Sequence, residues 1–363
     1  MACNPSGTKA KQLCLEDATG RVAYDISCDK VKHLMQRKLS LVILSLLGLL
    51  YSTISADAQL APIKISYATT SGTRLPLWIG QDAKLFEKYG LDAKLINIPS
   101  GNTAISALVS GEVDVVNGSG SASIIAAGRG LPIVIIGSFG GTIYKLVASP
   151  GVTDLRGKTV GTSRIGSSTD FALRRALAKL GLTPDKDVKI LATGIGEADK
   201  RIMMMLQGRM DATIGSPESI LAAETQAKVK LEVLADLEEM KIYNTVGDLS
   251  ARADTVKNRR ELLRQFFMAI SDAIATGKRN RAMGYRMITK YMKVTDPKRL
   301  EVVYDAAFGK MPSKPYARED AVQLELEAIA FTDPLFKNKK PGDFMDSSIV
   351  AELDKKGFFA QLQ

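Results

Sequence analysis

Five segments of this sequence concentrate Gly, Ser, Thr and Asn at points where a short apolar run ends and a helical pattern begins. They are residues 69–74, 100–103, 118–121, 163–169 and 216–219. Small residues let backbone N–H groups approach a ligand, and a helix N-terminus favours negative charge. Any one loop is also typical of plain helix capping, and none matches a dinucleotide fingerprint or a Walker A loop. The recurrence at five strand ends favours a binding site.

Charged side chains at two of these loops suggest what such a site would bind. Arg164 lies directly before a predicted helix, among serines and a glycine. A guanidinium fork beside hydroxyl groups suits a sulfonate, phosphate or carboxylate, although a solvated loop arginine is an equal alternative. Arg74 and Arg129 are weaker candidates of the same kind. Glu218 could contact a cationic group of the ligand, or merely favour the N-terminus of the helix that follows it.

The N-terminal segment has the pattern of a secretory signal. Basic residues at 36–38 precede an apolar run at 39–50, and Ala56-Asp57-Ala58 supplies a small-x-small cleavage site. The pattern predicts a signal peptide at 35–58 that is removed before Gln59, and therefore a periplasmic protein. Because such signals normally start near the first residue, residues 1–34 are interpreted as an over-extended N-terminus.

This cleavage would remove several kinds of catalytic chemistry. Cys3, Cys14, Cys28 and His33 all precede Met35, so residues 59–363 contain neither Cys nor His. A chain of that composition has no thiolate or imidazole metal ligand, no Cys nucleophile and no Ser-His-Asp triad. We therefore expect no catalytic residue, no metal and no cofactor.

The overall composition is that of an ordinary globular protein. The 363 residues are 45% hydrophobic and 24% charged, which argues against collagen, low-complexity disorder and a multi-span membrane protein. The net charge of +10 is spread along the chain and accompanies no recognisable nucleic-acid module. We therefore expect no nucleic-acid partner.

Short β-branched runs alternate with helical patterns, which is typical of an α/β fold with mostly parallel strands. The predicted strands are 63–68, 92–98, 113–116, 133–136, 159–162, 188–191, 211–214, 231–235 and 245–250. The predicted helices are 76–89, 103–110, 121–127, 169–180, 197–207, 255–276, 278–292, 297–308 and 318–330. Trp78 and Met203–Met205 are interpreted as packing residues, and the tail from Phe331 as a partly ordered surface segment.

The pattern G-x-x-D-x-x-x-G-S occurs twice, at 111–119 and at 208–216. Each copy follows a predicted helix and contains a predicted strand that ends in a small polar loop. The repetition indicates two similar α/β units, although chance combined with common loop chemistry is an alternative. In an open parallel sheet, ligands bind beyond the carboxyl ends of the strands.

Several segments together carry a family resemblance. Residues 76–80 (PLWIG), 85–91 (LFEKYGL), 111–118 (GEVDVVNG) and 154–161 (DLRGKTVG) resemble successive motifs of the substrate-binding proteins of ABC importers. The branch in question serves alkanesulfonates, taurine, nitrate and thiamine precursors. The likeness spans most of residues 64–280.

The resemblance implies a two-lobed periplasmic-binding-protein fold of type II, in which each lobe is a mostly parallel sheet flanked by helices. Lobe one would comprise 61–147 and 244–363, and lobe two would comprise 148–243. A monomer would close on a small solute by hinge motion and dock on the membrane permease of an ABC importer. The family's cleft positions match Ser71, Gly101, Asn102, Ser119, Gly120, Ser163, Arg164, Ser167 and Ser168 in this sequence.

An enzyme on the same scaffold is the alternative hypothesis, because a pyrimidine-forming synthase and menaquinone-pathway enzymes also resemble this family. The synthase branch uses a histidine and a Cys-rich motif, which residues 59–363 lack. A secretory signal also argues against a biosynthetic role in the cytoplasm. The prediction is therefore a binding protein for a small anionic organic solute, sulfonate-like or a carboxylate.

Overall fold

The computed structural model describes residues 59–118, 120–141 and 144–362. Residues 60–363 form one compact unit. The predicted signal peptide, the predicted over-extension before it and Ser119 lie outside the described residues. Across the part of the chain that is described, no helix combines the length and the apolar character needed to cross a membrane.

Ten strands and thirteen α-helices make up the described fold. The strands are β1 Ala61–Tyr67, β2 Leu91–Asn97, β3 Val115–Asn117, β4 Ile133–Ser138, β5 Lys145–Ala148, β6 Thr159–Thr162, β7 Lys189–Ala192, β8 Ala212–Gly215, β9 Glu232–Asp236 and β10 Asp248–Arg252. The helices are α1 Leu75–Asp82, α2 Leu85–Lys88, α3 Gly101–Ser110, α4 Gly120–Gly128, α5 Ser168–Lys179, α6 Ala198–Leu206, α7 Pro217–Ala227, α8 Ala253–Asn258, α9 Arg260–Arg279, α10 Arg281–Met287, α11 Pro297–Phe308, α12 Glu319–Thr332 and α13 Ser348–Lys355.

The strands form two sheets with the same topology. The first has the order β2-β1-β3-β10-β4 and the second the order β7-β6-β8-β5-β9. In each sheet the first three strands are parallel, and the fourth is antiparallel to both of its neighbours. Four of the five strands of each sheet therefore run in one direction. The α/β fold with two mostly parallel sheets is confirmed.

The repeated G-x-x-D pattern marks equivalent positions in the two sheets. The Asp114 carboxylate accepts a hydrogen bond from the backbone N–H of Lys64 on β1, at 2.8 Å. The Asp211 carboxylate accepts one from the N–H of Thr159 on β6, also at 2.8 Å. Each aspartate thus accepts a hydrogen bond from the neighbouring parallel strand. The repeated motif therefore stabilises the pairing of two strands in each sheet.

The first helical region differs from the prediction of one helix at 76–89. It is divided into α1 and α2, because Lys84 adopts a left-handed conformation with φ of 55°. Trp78 on α1 is fully buried and stacks on Tyr291 with a centroid distance of 4.8 Å, so its interpretation as a packing residue is confirmed. Within Met203–Met205, Met205 is buried and the other two pack partly against the core.

The prediction that the tail from Phe331 is a partly ordered surface segment is wrong. Phe336 and Phe344 are buried in one core cluster with the apolar face of α12. Further along, α13 and Phe359 pack into the core around the first sheet. Apolar residues spaced through 336–359 therefore anchor this segment, even though two prolines interrupt its helical pattern.

The two sheets carry separate apolar cores. The larger core joins β1, β3 and β10 to the long helix α9, and a second core surrounds β5, β6 and β8. Helix α11 packs against α7 beside the second sheet, whereas α12 packs against both α4 and α5. The C-terminal helices therefore contact elements attached to both sheets. The lobe boundaries at 147 and 243 stay predictions.

Candidate functional site

The small polar loops follow the carboxyl ends of parallel strands. Because β1, β2 and β3 are parallel, the loops 69–74, 100–103 and 118–121 lie along one edge of the first sheet. Since β6 and β8 are also parallel, 163–169 and 216–219 share one edge of the second sheet. The fold thus gathers the five loops at two sheet edges.

Hydrogen-bonded side chains join these two edges directly. The hydroxyl of Ser121, in the first turn of α4, lies 2.8 Å from the hydroxyl of Ser168, the first residue of α5. Ser168 Oγ also lies 3.3 Å from Thr245 Oγ1, which donates to Glu325 Oε2 at 3.1 Å. All four residues are buried. We call Ser121, Ser168, Thr245 and Glu325 the cross-cleft network.

A pocket of about 390 Å³, counting the solvent at its mouth, lies between the two edges. Ser71, Gly72 and Thr73 line it from the β1 loop, and Pro217 and Glu218 line it from the N-terminus of α7. The wall is completed by Phe139, Gly141, Val303, Ala306, Ala307 and Met311. The pocket therefore combines hydroxyl groups, one carboxyl group and an apolar wall provided largely by α11.

The N-terminus of α5 carries a cluster of hydroxyl groups. Ser163 Oγ and Thr169 Oγ1 each lie 2.9 Å from Ser167 Oγ. Ser167 caps the helix, because its hydroxyl accepts a hydrogen bond from the N–H of Asp170 at 3.3 Å. The side chain of Arg164 at the same loop is exposed. This loop offers hydroxyl groups and a cation to anything that approaches from solvent.

Arg74 is buried behind the β1 loop, with 2% of its surface exposed and no carboxylate partner among the described residues. Its guanidinium donates to Asn117 Oδ1 at 2.7 Å and to the carbonyl of Val246 at 3.0 Å. Burial lowers its pKa to about 10, so it remains a cation at neutral pH. Gly118 has a φ of 102°, and a Cβ there would lie 2.9 Å from Arg74 Nη2. Arg74 therefore ties the ends of β1 and β3 to the segment before β10.

A second buried arginine lies behind the loops of the other sheet. Arg201 on α6 is 1% exposed, and its guanidinium donates to the carbonyls of Ile195, Gly196 and Ile214. Both guanidinium groups favour ionisation of the buried Tyr144 phenol, but burial outweighs them and raises its pKa to about 12. Two cations without acidic partners in the described structure thus stand behind the pocket, one on each side.

The buried carboxyl groups at the site have raised pKa values. Burial raises the pKa of Glu218, the pKa of Glu325 to about 7 and the pKa of Asp248 to about 8. The physical cause is the loss of water around the charged form. At neutral pH, protonation of most of Asp248 and of about half of Glu325 therefore reduces the negative charge near the two buried arginines.

The structure distributes the predicted site residues over several places. Ser71 and Glu218 line the same pocket, and Ser168 belongs to the cross-cleft network. The remaining described ones lie at helix N-termini or in loops: Ser163, Arg164 and Ser167 before α5, Gly101 and Asn102 in the first turn of α3, and Gly120 at the start of α4. A Cβ on Gly120 would lie 2.3 Å from Thr245 Cβ, so this glycine permits close approach of the two backbones.

Several residues of the site were not predicted. The α11 wall and Thr245 come from parts of the chain that lie far from the predicted loops in sequence. Glu325 has a detectable signal, because it falls on the buried face of α12 with Val322, Leu326 and Ile329. A carboxyl group at an apolar position of a helix indicates a buried polar role.

No group of three or more His, Cys, Asp or Glu side chains that could hold a metal ion is found within the described ranges.

Comparison with known proteins identifies a matching family and a set of partial relatives. A family described as NMT1/THI5 like matches residues 73–280. A protein of Brucella abortus (strain 2308) named "Putative binding protein BAB2_1146" is 33% identical over 162 residues, which are 43% of this chain and 49% of that protein. The chain spans about half the length of the curated relatives it matches.

Solved structures share the fold at low identity. The periplasmic aliphatic sulphonate binding protein SsuA from Escherichia coli superposes with a TM-score of 0.63 at 20% identity, over 80% of this chain and 99% of that one. The periplasmic nitrate-binding protein NrtA from Synechocystis PCC 6803 superposes with a TM-score of 0.58 at 13% identity, over 84% and 88%. At these identities the likeness shows the periplasmic-binding-protein fold.

Proposed function

The chain belongs to the NMT1/THI5-like family, and we propose that it is an extracytoplasmic solute-binding protein of an ABC importer. It would bind one small organic solute between its two sheets, close on it by a hinge motion and deliver it unchanged to a membrane permease. The observation that carries this proposal is the pocket whose lining comes from loops at the carboxyl edges of both sheets.

The charges around the pocket favour an anionic solute, sulfonate-like or a carboxylate. Arg74 and Arg201 are buried cations on its two sides, and neither has a carboxylate partner in the described structure. Arg164 is a third cation, exposed at the hydroxyl-rich end of α5. Because the nearby carboxyl groups Glu325 and Asp248 have pKa values raised to about 7 and about 8, their negative charge at neutral pH is reduced.

The sheet topology supports two lobes joined by two crossovers. Residues 139–144 connect β4 of the first sheet to β5 of the second, and 237–247 return the chain from β9 to β10. Since all of β5 pairs within the second sheet, we place the first crossover before Lys145, slightly earlier than the boundary predicted at 147. Hinge motions of this kind concentrate in a few connecting residues.

The proposed location is the periplasm, reached through cleavage of the predicted signal peptide before Gln59. N-terminal sequencing of the protein recovered from the periplasmic fraction tests this point. A first residue of Gln59 supports it, and a product that retains residues 2–33 contradicts it.

Thermal unfolding with a panel of solutes tests the binding function. The panel contains alkanesulfonates, aromatic acids, nitrate and pyrimidines. A solute present at 100 times its dissociation constant stabilises the folded state by about 2.7 kcal/mol. With an unfolding entropy near 2.1 cal/mol/K per residue, a folded unit of about 300 residues should gain about 4 °C in melting temperature.

Analysis of the solute after incubation separates binding from catalysis. Recovery of the bound compound unchanged after prolonged incubation supports the binding protein. Turnover of any panel compound by the pure protein would instead establish an enzyme on this scaffold, such as one acting on pyrimidine precursors. Absence of any stabilisation across the panel would count against a solute-binding role for these classes.

A further inference from the structure

Arg74 joins the loop that lines the pocket to the second crossover, residues 237–247. On the loop side its guanidinium donates to Thr69 Oγ1 at 3.4 Å, and on the crossover side it donates to the carbonyl of Val246 at 3.0 Å. Because only 2% of Arg74 is exposed, protein contacts and not solvent fix the position of its side chain.

We propose that Arg74 is a positioning residue, which makes the pocket loop at 69–74 and the second crossover move as one unit when the cleft opens and closes. The inference rests on the proposed function, because it assumes that the two sheets move relative to each other by a hinge motion in the crossovers.

On the pocket side, a row of hydroxyl groups leads from the pocket to Arg74. Ser71 and Thr73 line the pocket, and their hydroxyl oxygens lie 2.9 Å apart. Ser71 Oγ lies 3.3 Å from Thr69 Oγ1, which accepts a hydrogen bond from the guanidinium. A solute that contacts these hydroxyl groups therefore acts on residues that are bonded to Arg74.

On the crossover side, Arg74 and Asn117 hold three successive carbonyl groups. Arg74 binds the carbonyl of Val246, and Asn117 Nδ2 donates to the carbonyls of Gly247 at 3.1 Å and Asp248 at 3.3 Å. Arg74 also donates to Asn117 Oδ1 at 2.7 Å, so the two side chains act together. The end of the second crossover is thereby fixed to the first sheet and to the pocket loop.

These contacts require the fork of a guanidinium group. Nη1 binds Asn117, while Nη2 binds Thr69 and Val246. A lysine at this position keeps the positive charge, but its donors radiate from one nitrogen at the end of a flexible stem. Arg74→Lys therefore separates the positioning role from the charge that favours an anionic solute.

Arg201 provides a matched control in the second sheet. It is 1% exposed, and its guanidinium donates to the carbonyls of Ile195, Gly196 and Ile214. In the repeated G-x-x-D pattern, Ile214 occupies the position that Asn117 occupies in the first copy. The two arginines thus bond to equivalent strand positions, but none of these three acceptors of Arg201 lies in a crossover.

Distance measurements between spin labels test the coupling without any solute. All three cysteines of the chain lie at 3, 14 and 28, so their replacement by serine allows labelling at two introduced cysteines. Lys94→Cys on β2 and Lys189→Cys on β7 are suitable, because both residues are exposed on outer strands of different sheets. Double electron–electron resonance then gives the distribution of distances between the two sheets.

Arg74→Lys should broaden this distribution. The ratio of the main wild-type distance to all other distances should fall by about tenfold, the factor expected for the loss of one hydrogen bond from a charged group. Arg201→Lys should keep the wild-type distribution, although both variants should lose stability in urea because both lose buried hydrogen bonds.

Amide hydrogen exchange of residues 244–250 reports the release of the crossover itself. Exchange there should rise by about tenfold in Arg74→Lys and stay unchanged in Arg201→Lys. If Arg74→Lys does not fold, Asn117→Ser shortens the side chain that links Arg74 to Gly247 and must produce the same broadening of the distances.

Two outcomes overturn the proposal. One is an Arg74→Lys variant with the wild-type distances, because Arg74 then has only a local structural role even if exchange at 244–250 rises. The other is an equal broadening in Arg74→Lys and Arg201→Lys, which indicates a general loss of packing. Neither result bears on whether the solute panel stabilises the protein, so this inference and the proposed function fail separately.

Discussion

Asp248, at the start of β10, leads to a specific prediction about the pH dependence of stability. Its side chain is 1% exposed, neither carboxyl oxygen has a hydrogen-bond partner of regular geometry, and the neighbouring Ser138 hydroxyl only partly opposes the effect of burial on the pKa. Burial raises its pKa from 3.8 to about 8, with a further contribution from the negative charge of Glu325. The folded protein thus holds a proton that the unfolded chain releases.

The sign of the effect follows from proton linkage. Between about pH 4 and pH 8 the folded state binds more protons at Asp248 than the unfolded state, so the contribution of this residue to stability falls as pH rises. The difference between the pKa of 3.8 in the unfolded chain and about 8 in the folded protein corresponds to a loss of at most about 6 kcal/mol in the free energy of unfolding. Penetration of water to Asp248 would reduce this loss. Above pH 8 the loss levels off.

Substitution Asp248→Asn should remove this penalty. Relative to the wild type, the variant should be up to about 2 kcal/mol more stable at pH 5 and up to about 6 kcal/mol more stable at pH 9. Urea unfolding followed by circular dichroism at pH 5, 7 and 9 measures the difference. Asp92→Asn, an exposed position on β2, is the control and should follow the wild type. If Asp248→Asn follows the wild type at all three values, Asp248 is not a buried protonated group.

Three further predictions concern binding and packing. Arg164→Ala should abolish the thermal stabilisation by an anionic solute. The control Arg209→Ala should retain it, because Arg209 is exposed before β8 at the opposite edge of the second sheet. If both variants retain the shift in melting temperature, Arg164 is a surface residue without a role in binding. Gly118→Ala should lower the free energy of unfolding in urea by about 1–3 kcal/mol. The loss should exceed that of Gly130→Ala, because both glycines have a positive φ but only a Cβ at Gly118 would meet another atom, Arg74 Nη2. Trp78→Ala should cost about 3–5 kcal/mol by the same measurement, because it empties a fully buried site, and a smaller loss would contradict its stacking role.

Much of the fold follows from local patterns in the sequence. The strand at 159–162 and the helix at 297–308 have the predicted bounds, because apolar periodicity and a proline at the first helical turn mark them clearly. The helix predicted over 76–89 breaks at Lys84, since a left-handed residue other than glycine leaves little trace in sequence. The patterns predict no strand at β5, and for α7 they predict only a helix that follows Glu218, without bounds.

The candidate site was only partly accessible from the sequence, for a physical reason. Loops such as 163–169 are recognisable because their composition reflects local backbone needs. The apolar wall from α11 and the network through Thr245 depend on where the C-terminal helices return to the cleft, which is a tertiary property. Glu325 is the informative exception, since a carboxyl group on the apolar face of a helix could have been noticed.

Isothermal titration of the protein with the panel compound that stabilises it most tests the central claim most directly. We predict one solute per chain and a dissociation constant on the order of micromolar, equivalent to about 8 kcal/mol. The compound recovered afterwards should be chemically unchanged. A stoichiometry other than one, or a compound that is chemically altered on recovery, would contradict a solute held unchanged between the two sheets.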